Sequence, residues 1–390
     1  MSGPLIFAHV DVDGITSARI ALHTEMYRDA KVLFTPYTKF GVDEEVYKLL
    51  WNTFRDDQSL NDELLCLDVG CSNTTLGYLR DLVEELGMRV TLIDHHPFDS
   101  PTSGDEYKTD NLRIVQDETH CTASLAYKVF SMVNQLKSDW AGFWTIVGIY
   151  GDMAVEKAGA SKVLDSLLPK YPAMLPHRDP ALTIEEKLTK KLSEQRWKHQ
   201  PALMISRAMN MARRLTYHDG ARLCLNACRE VEEANDPFLL VRDLKGYWEW
   251  AKYPNVALVR RLVKRYIDTL IRDKLSLRTL DLGPIAVGIV SSYADIGGIL
   301  ANDVSDELGK PAYVLNDKLP NGMYKLSGRG EGIDHNAVFK MCDQLTGGRI
   351  KGGGHVGASS GTFAPIPFYE VCQIVRNAAC KVIEAQSPKE

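Results

Sequence analysis

The sequence predicts an α/β protein: an N-terminal doubly wound, mostly parallel sheet, a helical middle ending in a connector helix, and a smaller C-terminal α/β domain. Three observations carry this reading. Residues 1–155 alternate short apolar runs with stretches of helical periodicity, strand signals nearly vanish over 156–279, and the two patterns mix again over 280–390. A chain of 390 residues is also too long for one ordinary core. The expected boundaries are 1–180, 181–279 and 280–390.

In the first segment Leu5–Val10, Lys31–Phe34, Glu63–Leu67 and Arg89–Ile93 read as buried strands, with Ile15–Tyr27 and Asn73–Leu86 as helices between them. Pro169, Pro172, Pro176 and Pro180 break up the entry to the second. There Ile184–Arg196, Ala202–Leu215, Gly220–Ala234 and Asn255–Lys274 read as helices. The last of these places Val256, Val259, Val263, Ile267, Leu270 and Ile271 near one face, as a connector between domains would. In the third segment Pro284–Val290, Ala312–Leu315 and Tyr324–Gly328 are strand-like. Ile296–Leu308 is a helix stopped by Gly309, and Phe368–Glu384 a closing helix.

Composition is that of a globular protein, 45% hydrophobic and 25% charged, with no apolar run long enough to span a membrane. Met1–Ala8 lacks the basic region of a signal peptide. The eight cysteines form no CxxC pair, and Cys224 and Cys228 have no further soft ligands nearby, so buried thiols in a reducing cytoplasm are expected. The net charge of -5 is not that of a strongly basic nucleic-acid binder, yet the middle is basic. Glu185–Arg214 holds eight Lys/Arg against three Glu, and Lys245–Arg278 nine against three acids. Solvated helix faces and a track for phosphates both account for this. Tyr247, Trp248, Trp250 and Tyr253, beside the second stretch, could stack bases or pack a hinge.

Four clusters carry the chemistry. His9-Val10-Asp11-Val12-Asp13-Gly14 lies where the first strand ends; in an extended segment His9, Asp11 and Asp13 would share one face. Asp68 follows Leu64–Leu67, Asp94-His95-His96 follows Val90–Ile93, and Asp152 follows the apolar stretch Trp144–Tyr150. Ligands of open parallel sheets bind beyond the carboxyl ends of the strands, so parallel strands would let all four clusters converge on one edge. Carboxylates so concentrated must hold protons or bind cations. Mixed Asp and His ligands suit a divalent ion such as manganese, and two such ions can serve phosphoryl transfer.

In these residues the chain resembles the DHH phosphoesterase superfamily. His9, Asp11 and Asp13 match its first motif, Asp68 the second, Asp94-His95-His96 the third and Asp152 the fourth. Lys351-Gly352-Gly353-Gly354-His355 is similar to the GGGH signature of the DHH-associated substrate-binding domain, and Ser327-Gly328-Arg329 to its arginine motif. The resemblance implies a DHH catalytic domain, two Mn2+ ions (or Mg2+) and a metal-bound hydroxide as nucleophile. It implies that His9 and Asp11 hold one metal and Asp13, His95 and Asp152 the other, with Asp68 bridging. His96 would contact the substrate phosphate, and Asp94 would orient a histidine. Arg329, Gly352, Gly353, Gly354 and His355 would bind substrate.

One residue between His9 and Asp11, and the continuation Asp13-Gly14-Ile15-Thr16-Ser17, are closest to RecJ-like exonucleases, which implies single-stranded DNA or RNA as substrate. With 29 residues after Gly361, the extra oligonucleotide-binding barrel of larger bacterial RecJ proteins is not expected in this sequence. Three other functions stay open. A phosphodiesterase for short oligonucleotides or cyclic dinucleotides fits the acidic net charge. A pyrophosphatase or polyphosphatase is disfavoured by the GGGH domain. A non-catalytic replication scaffold has no reason to keep repulsive carboxylates together.

Overall fold

The computed structural model describes residues 3–36, 41–98, 107–133, 135–171, 201–241, 248, 251–319, 322–350 and 352–386. The chain divides into two compact units, Met1–Val263 and Lys264–Glu390. The expected helix Ile184–Arg196, along with Tyr247, Trp250 and Lys351, lies outside the described residues.

The first unit is built on β1 (Gly3–Ala8), β2 (Lys31–Phe34), β3 (Leu60–Leu67), β4 (Arg89–Asp94) and β5 (Leu112–Gln116). All pair in parallel, in the order β2-β1-β3-β4-β5. Alternation along β1 shows why the strands read as continuous apolar runs. Leu5 and Phe7 enter one core with Leu64, Cys66, Val90 and Leu92, while Ile6 and Ala8 enter another with Leu65, Leu67 and Ile93. Both faces are covered, so no polar face survives in the pattern. Helices α1 (Val12–Leu22), α2 (Glu44–Asp56) and α3 (Asn73–Leu86) fall between the strands, and α4 (Thr122–Met132), α5 (Trp140–Gly151) and α6 (Ala158–Leu167) follow them. The expected strand Leu5–Val10 stops at Ala8, and the helix expected from Ile15 starts at Val12, because Asp11 caps it by accepting from the Gly14 N–H at 3.0 Å.

Helical hydrogen bonding runs through α7 (Pro201–Glu233), where two separate helices were expected. The chain nevertheless doubles back. Cys224 Sγ reaches the carbonyl of Met209 at 3.7 Å, fifteen residues earlier, whereas a straight helix would separate them by roughly 22 Å. Both arms pack into the first unit's core, where Ala202, Met209, Cys224, Cys228 and Val231 are fully buried. The middle of the chain therefore completes this core. Tyr253 joins it too and is buried, so of the two roles open to it packing is the one observed, whereas Trp248 is 84% exposed.

Helix α8 (Pro254–Ser276) is tied at its start by Glu230, whose carboxylate accepts from the N–H groups of Asn255 (3.0 Å) and Val256 (2.8 Å). Its expected continuous apolar face is interrupted. Val256 and Val259 are buried, but burial then passes to Tyr266, whose hydroxyl donates to the Asp295 carbonyl at 3.3 Å, leaving Ile267 and Ile271 exposed.

The second unit holds β6 (Arg278–Asp281), β7 (Ala286–Val290), α9 (Gly297–Leu308), β8 (Ala312–Asn316), β9 (Tyr324–Arg329), α10 (His335–Thr346), β10 (Gly352–His355), β11 (Ala358–Phe363) and α11 (Phe368–Gln386). The strand order is β10-β11-β9-β8-β7-β6, with only β7 and β8 parallel. Tyr313, Leu315 and Leu326 pack with Phe339 of α10 and Val375 of α11, while α9 brings Gly297 against Ser327. No helix of the described residues is long and apolar enough to cross a membrane.

Candidate metal centre

Three adjacent strands end together. Ala8, Leu67 and Ile93 are register partners across β1, β3 and β4, so the residues that follow, His9, Asp68 and Asp94, line one edge of the sheet. Strand order reverses between β1 and β3, which opens a crevice at their carboxyl ends. The expectation that His9, Asp11 and Asp13 share one face of an extended segment is overturned. Asp11 is the α1 cap and Asp13 lies in the first helical turn, so the three are divided between two directions. His9 Nδ1 lies 3.1 Å from Asp11 Oδ2 and 3.5 Å from Asp68 Oδ2. Asp13 is buried on the other side, 3.4 Å from His95 Nδ1. Gly14 makes this turn possible, because a Cβ there would sit 2.2 Å from the His9 carbonyl oxygen.

Asp68 occupies the centre. It is 1% exposed and its φ is +62°, a conformation that costs a non-glycine residue about 1–3 kcal/mol and that clusters at functional sites. Asp152 caps the C-terminus of α5, not a strand, and its Oδ2 lies 3.6 Å from His95 Nε2. Among the described residues, three overlapping groups place their ligand atoms within 4.8 Å of one another: His9, Asp11 and Asp68; Asp13, His95 and Asp152; and Asp68, His95 and His96.

Asp94 lies behind the ligands. Its Oδ1 accepts from the His96 N–H at 2.7 Å and meets His96 Nδ1 at 2.9 Å, and its Oδ2 accepts from the Gly70 N–H at 2.7 Å. The His96 ring stacks on His95 with centroids 4.1 Å apart. Sequence reasoning missed two residues of this neighbourhood. Thr122 starts α4 and donates through Oγ1 to Asp68 Oδ1 at 3.0 Å, while its N–H and that of Ala123 reach the two Asp13 oxygens at 2.7 and 2.8 Å. A threonine between Cys121 and an apolar periodic run is a helix-start signal, and that signal alone marked it. Lys157 Nζ, 3.2 Å from Asp152 Oδ2, has no signature in the sequence.

The electrostatics follow from this crowding. Burial, then the charges of Asp11, Asp13, Asp94 and Asp152, push Asp68 well above the usual carboxylate range. Burial and Asp13 push Asp152 up to about 6. Burial works the same way on Asp11, but the neighbouring His9, and then Arg213, outweigh it and hold Asp11 well below its ordinary value. Burial also opposes ionisation of Asp94, where His96 prevails and lowers it, and of His95, where Asp13 prevails and raises it. The set fits divalent cations on one further ground: His95 Nε2 is a buried nitrogen with no hydrogen-bond partner among the described residues.

The family model for the N-terminal domain of the DHH family matches residues 5–146, and that for the DHHA1 domain matches residues 285–381. The chain belongs to the DHH phosphoesterase superfamily. Among solved structures, this DHH protein is similar over 98% of its length to a manganese-bound exonuclease RecJ, at 16% identity, with 92% of that chain covered and a TM-score of 0.63. A DHH-domain protein described as a member of a family of ribosomal proteins gives 13% identity, coverage of 98% and 87%, and a TM-score of 0.64. RecJ of Thermus thermophilus in complex with Mn2+ gives 14% identity and a TM-score of 0.58; 97% of this chain spans 52% of that one. At such identities these likenesses show the fold. No curated protein matches the sequence.

In the DHHA1 domain, register pairs Arg329 with Ala358 and Ala358 with His355, which puts Arg329 and His355 in one row across three strands, with Gly352, Gly353 and Gly354 in the rows beside it. The Arg329 guanidinium donates to the carbonyls of Gly328 (2.7 Å) and Ser359 (3.2 Å), and Nη2 lies where a Cβ on Gly298 would come within 2.8 Å, beside the start of α9. Gly352, Gly353 and Gly354 lie with His355 in β10. Gly354 has φ +145° and packs on the Ala358 carbonyl, so only glycine fits. Not every buried histidine belongs to a candidate ligand group. His335, for instance, is buried between the Tyr313 hydroxyl and the Gly330 carbonyl. All eight cysteines are free thiols, seven of them buried.

Proposed function

We propose that this protein is a two-metal phosphodiester hydrolase, taking Mn2+ or Mg2+, that degrades single-stranded DNA or RNA as an exonuclease. The observation that carries the reading is the central place of Asp68: this buried carboxylate groups with His9 and Asp11 on one side and, on the other, with His95, which itself groups with Asp13 and Asp152. A bridging oxygen donor between two sites is what a two-ion phosphoryl-transfer centre requires. When bound, the ions supply an activated water and neutralise charge on the phosphoryl group. Manganese is consistent with the mixed carboxylate and imidazole donors.

The chain's own residues divide the remaining work. Asp94 holds His96 by two contacts to one oxygen, fixing the ring that would contact the phosphate. Lys157 beside Asp152 and Arg213 near Asp11 add positive potential for an anionic substrate. In the DHHA1 domain Arg329 and the Gly352–His355 strand would bind the strand's phosphates, the arginine by charge-assisted hydrogen bonds and the glycines by close backbone approach. The manganese-bound RecJ structure, similar in fold along both domains, supports a strand as substrate over a diphosphate.

The second reading, hydrolysis of dinucleotides, is favoured by the net charge of -5, which limits the field available to hold a long polyanion. One experiment separates the two. The protein is incubated with Mn2+ and, in parallel, a labelled oligonucleotide of about twenty nucleotides and a linear dinucleotide, with Asp152→Ala as control. A mononucleotide ladder from the long strand, absent in the variant, is the expected result. Cleavage of the dinucleotide alone replaces the exonuclease reading with the second, and equal activity in the variant removes the site assignment.

A further inference from the structure

The side chain of Thr122 meets two of the candidate ligands at once. Its Oγ1 donates to Asp68 Oδ1 at 3.0 Å and lies 3.1 Å from His95 Nδ1. A hydroxyl has one proton to give and two lone pairs to accept with. With the proton committed to Asp68, the contact with His95 is formed by Nδ1–H donating to the hydroxyl. The neutral ring then carries its proton on Nδ1 and its lone pair on Nε2.

Two other acceptors stand farther from Nδ1, Asp13 Oδ2 at 3.4 Å and Asp68 Oδ1 at 3.5 Å. Each of these oxygens also accepts from Thr122, Asp13 Oδ2 from its N–H at 2.7 Å and Asp68 Oδ1 from its hydroxyl, so the hydroxyl is the nearest of three acceptors around Nδ1, all of which favour a proton there. On the opposite side of the ring, Nε2 is buried without a hydrogen-bond partner among the described residues, and Asp152 Oδ2 at 3.6 Å is beyond hydrogen-bonding distance. A buried lone pair left in that state, facing a carboxylate, is costly unless a cation takes it.

We propose that Thr122 is a positioning residue that holds His95 in its Nδ1–H tautomer and thereby presents Nε2 as the metal-binding nitrogen. This rests on reading the site as a metal centre. The threonine is suited to the task because it does not swing: it is fully buried, and its backbone is pinned to Asp13 as the first residue of α4. Valine has the same shape but neither the proton nor the lone pairs. Serine keeps both.

The test uses the full chain with 15N-labelled histidine. In metal-free protein at alkaline pH, where the ring is neutral, the nitrogen shifts of His95 report the tautomer directly. Wild type and Thr122→Ser are expected to show a protonated Nδ1 and an unprotonated Nε2, and Thr122→Val to show a mixture or the Nε2–H form. Manganese affinity, read by electron paramagnetic resonance, is expected to fall roughly 10–100-fold in Thr122→Val and to change by less than about threefold in Thr122→Ser. Should the valine variant not fold, Thr122→Ala against Thr122→Ser reads the same contrast. A wild-type His95 protonated on Nε2, or a valine variant with wild-type tautomer and affinity, overturns the proposal. A wild-type protein that shows the tautomer yet takes up no manganese overturns the metal reading instead.

Discussion

Trp144 Nε1 donates to Glu232 Oε1 at 2.6 Å, joining the helix that ends at Asp152 to the last turn of the helical hairpin. The same carboxylate receives Arg19 through both Nε, at 2.7 Å, and Nη2, and stands 3.0 Å from His23 Nε2. Arg19 and His23 belong to the end of α1, whose other end supplies Asp11 and Asp13. One half-buried carboxylate thus braces the two helices that present three of the six candidate ligands.

That brace predicts an acid-sensitive stability. Burial raises the Glu232 carboxyl, but Arg19 and His23 outweigh it and hold it at about 2, below its ordinary 4.5. A depressed folded value means that the contribution is complete above about 4.5 and is lost as pH falls from there toward 2. Its size is on the order of 3 kcal/mol, less whatever part solvent screens. Urea unfolding across this window should show a steep acid limb that Glu232→Gln flattens, with the variant less stable at neutral pH. An identical limb in the variant would remove the brace.

Asp68→Asn should separate stability from function. In metal-free protein the aspartate is a buried carboxylate crowded by Asp11, Asp13, Asp94 and Asp152, with its proton affinity raised. A raised folded value contributes stability only at low pH and loses it as pH rises through that value. Asparagine removes the repulsion and tolerates the positive φ. The metal-free variant is expected to melt at a higher temperature than wild type at alkaline pH, the gap closing in acid, while manganese affinity drops by more than about 100-fold. A variant that melts lower than wild type at every pH would mean that the carboxylate stabilises the metal-free fold.

If Asp152 is a ligand, its protonation is expected to weaken metal binding in acid. Its carboxyl titrates at about 6, so below that value protons compete with the cation. Isothermal titration of Mn2+ in buffers of different ionisation enthalpy is expected to show proton release on binding near pH 6 and affinity falling steadily below it. Lys157→Met, which removes the cation beside Asp152, should move the transition upward, because Lys157 lowers the value. Proton uptake on binding would contradict the assignment of Asp152 as a ligand.

The motif spacings identify the superfamily from local information. Asp68 and Asp94 follow or end apolar strands, and a parallel sheet carries strand ends to one edge whatever the details of packing. The glycines of β10 were equally visible, although their strand was not: three glycines in a row carry no β signal, and pairing with β11 alone makes them extended.

What the sequence by itself determined is therefore the class of fold, the helical character of the middle and the identity of the residues crowded at the sheet edge, all of which depend on period and local order. Tertiary structure decided how those residues divide. The helix cap at Asp11 turns Asp13 away from His9, the doubled-back α7 closes the core beneath them, and contacts over a hundred residues apart, Thr122 with Asp13 and Glu232 with Arg19, fix the directions of side chains. Distances between residues so far apart in sequence are set only when the whole core closes, and no local pattern encodes them.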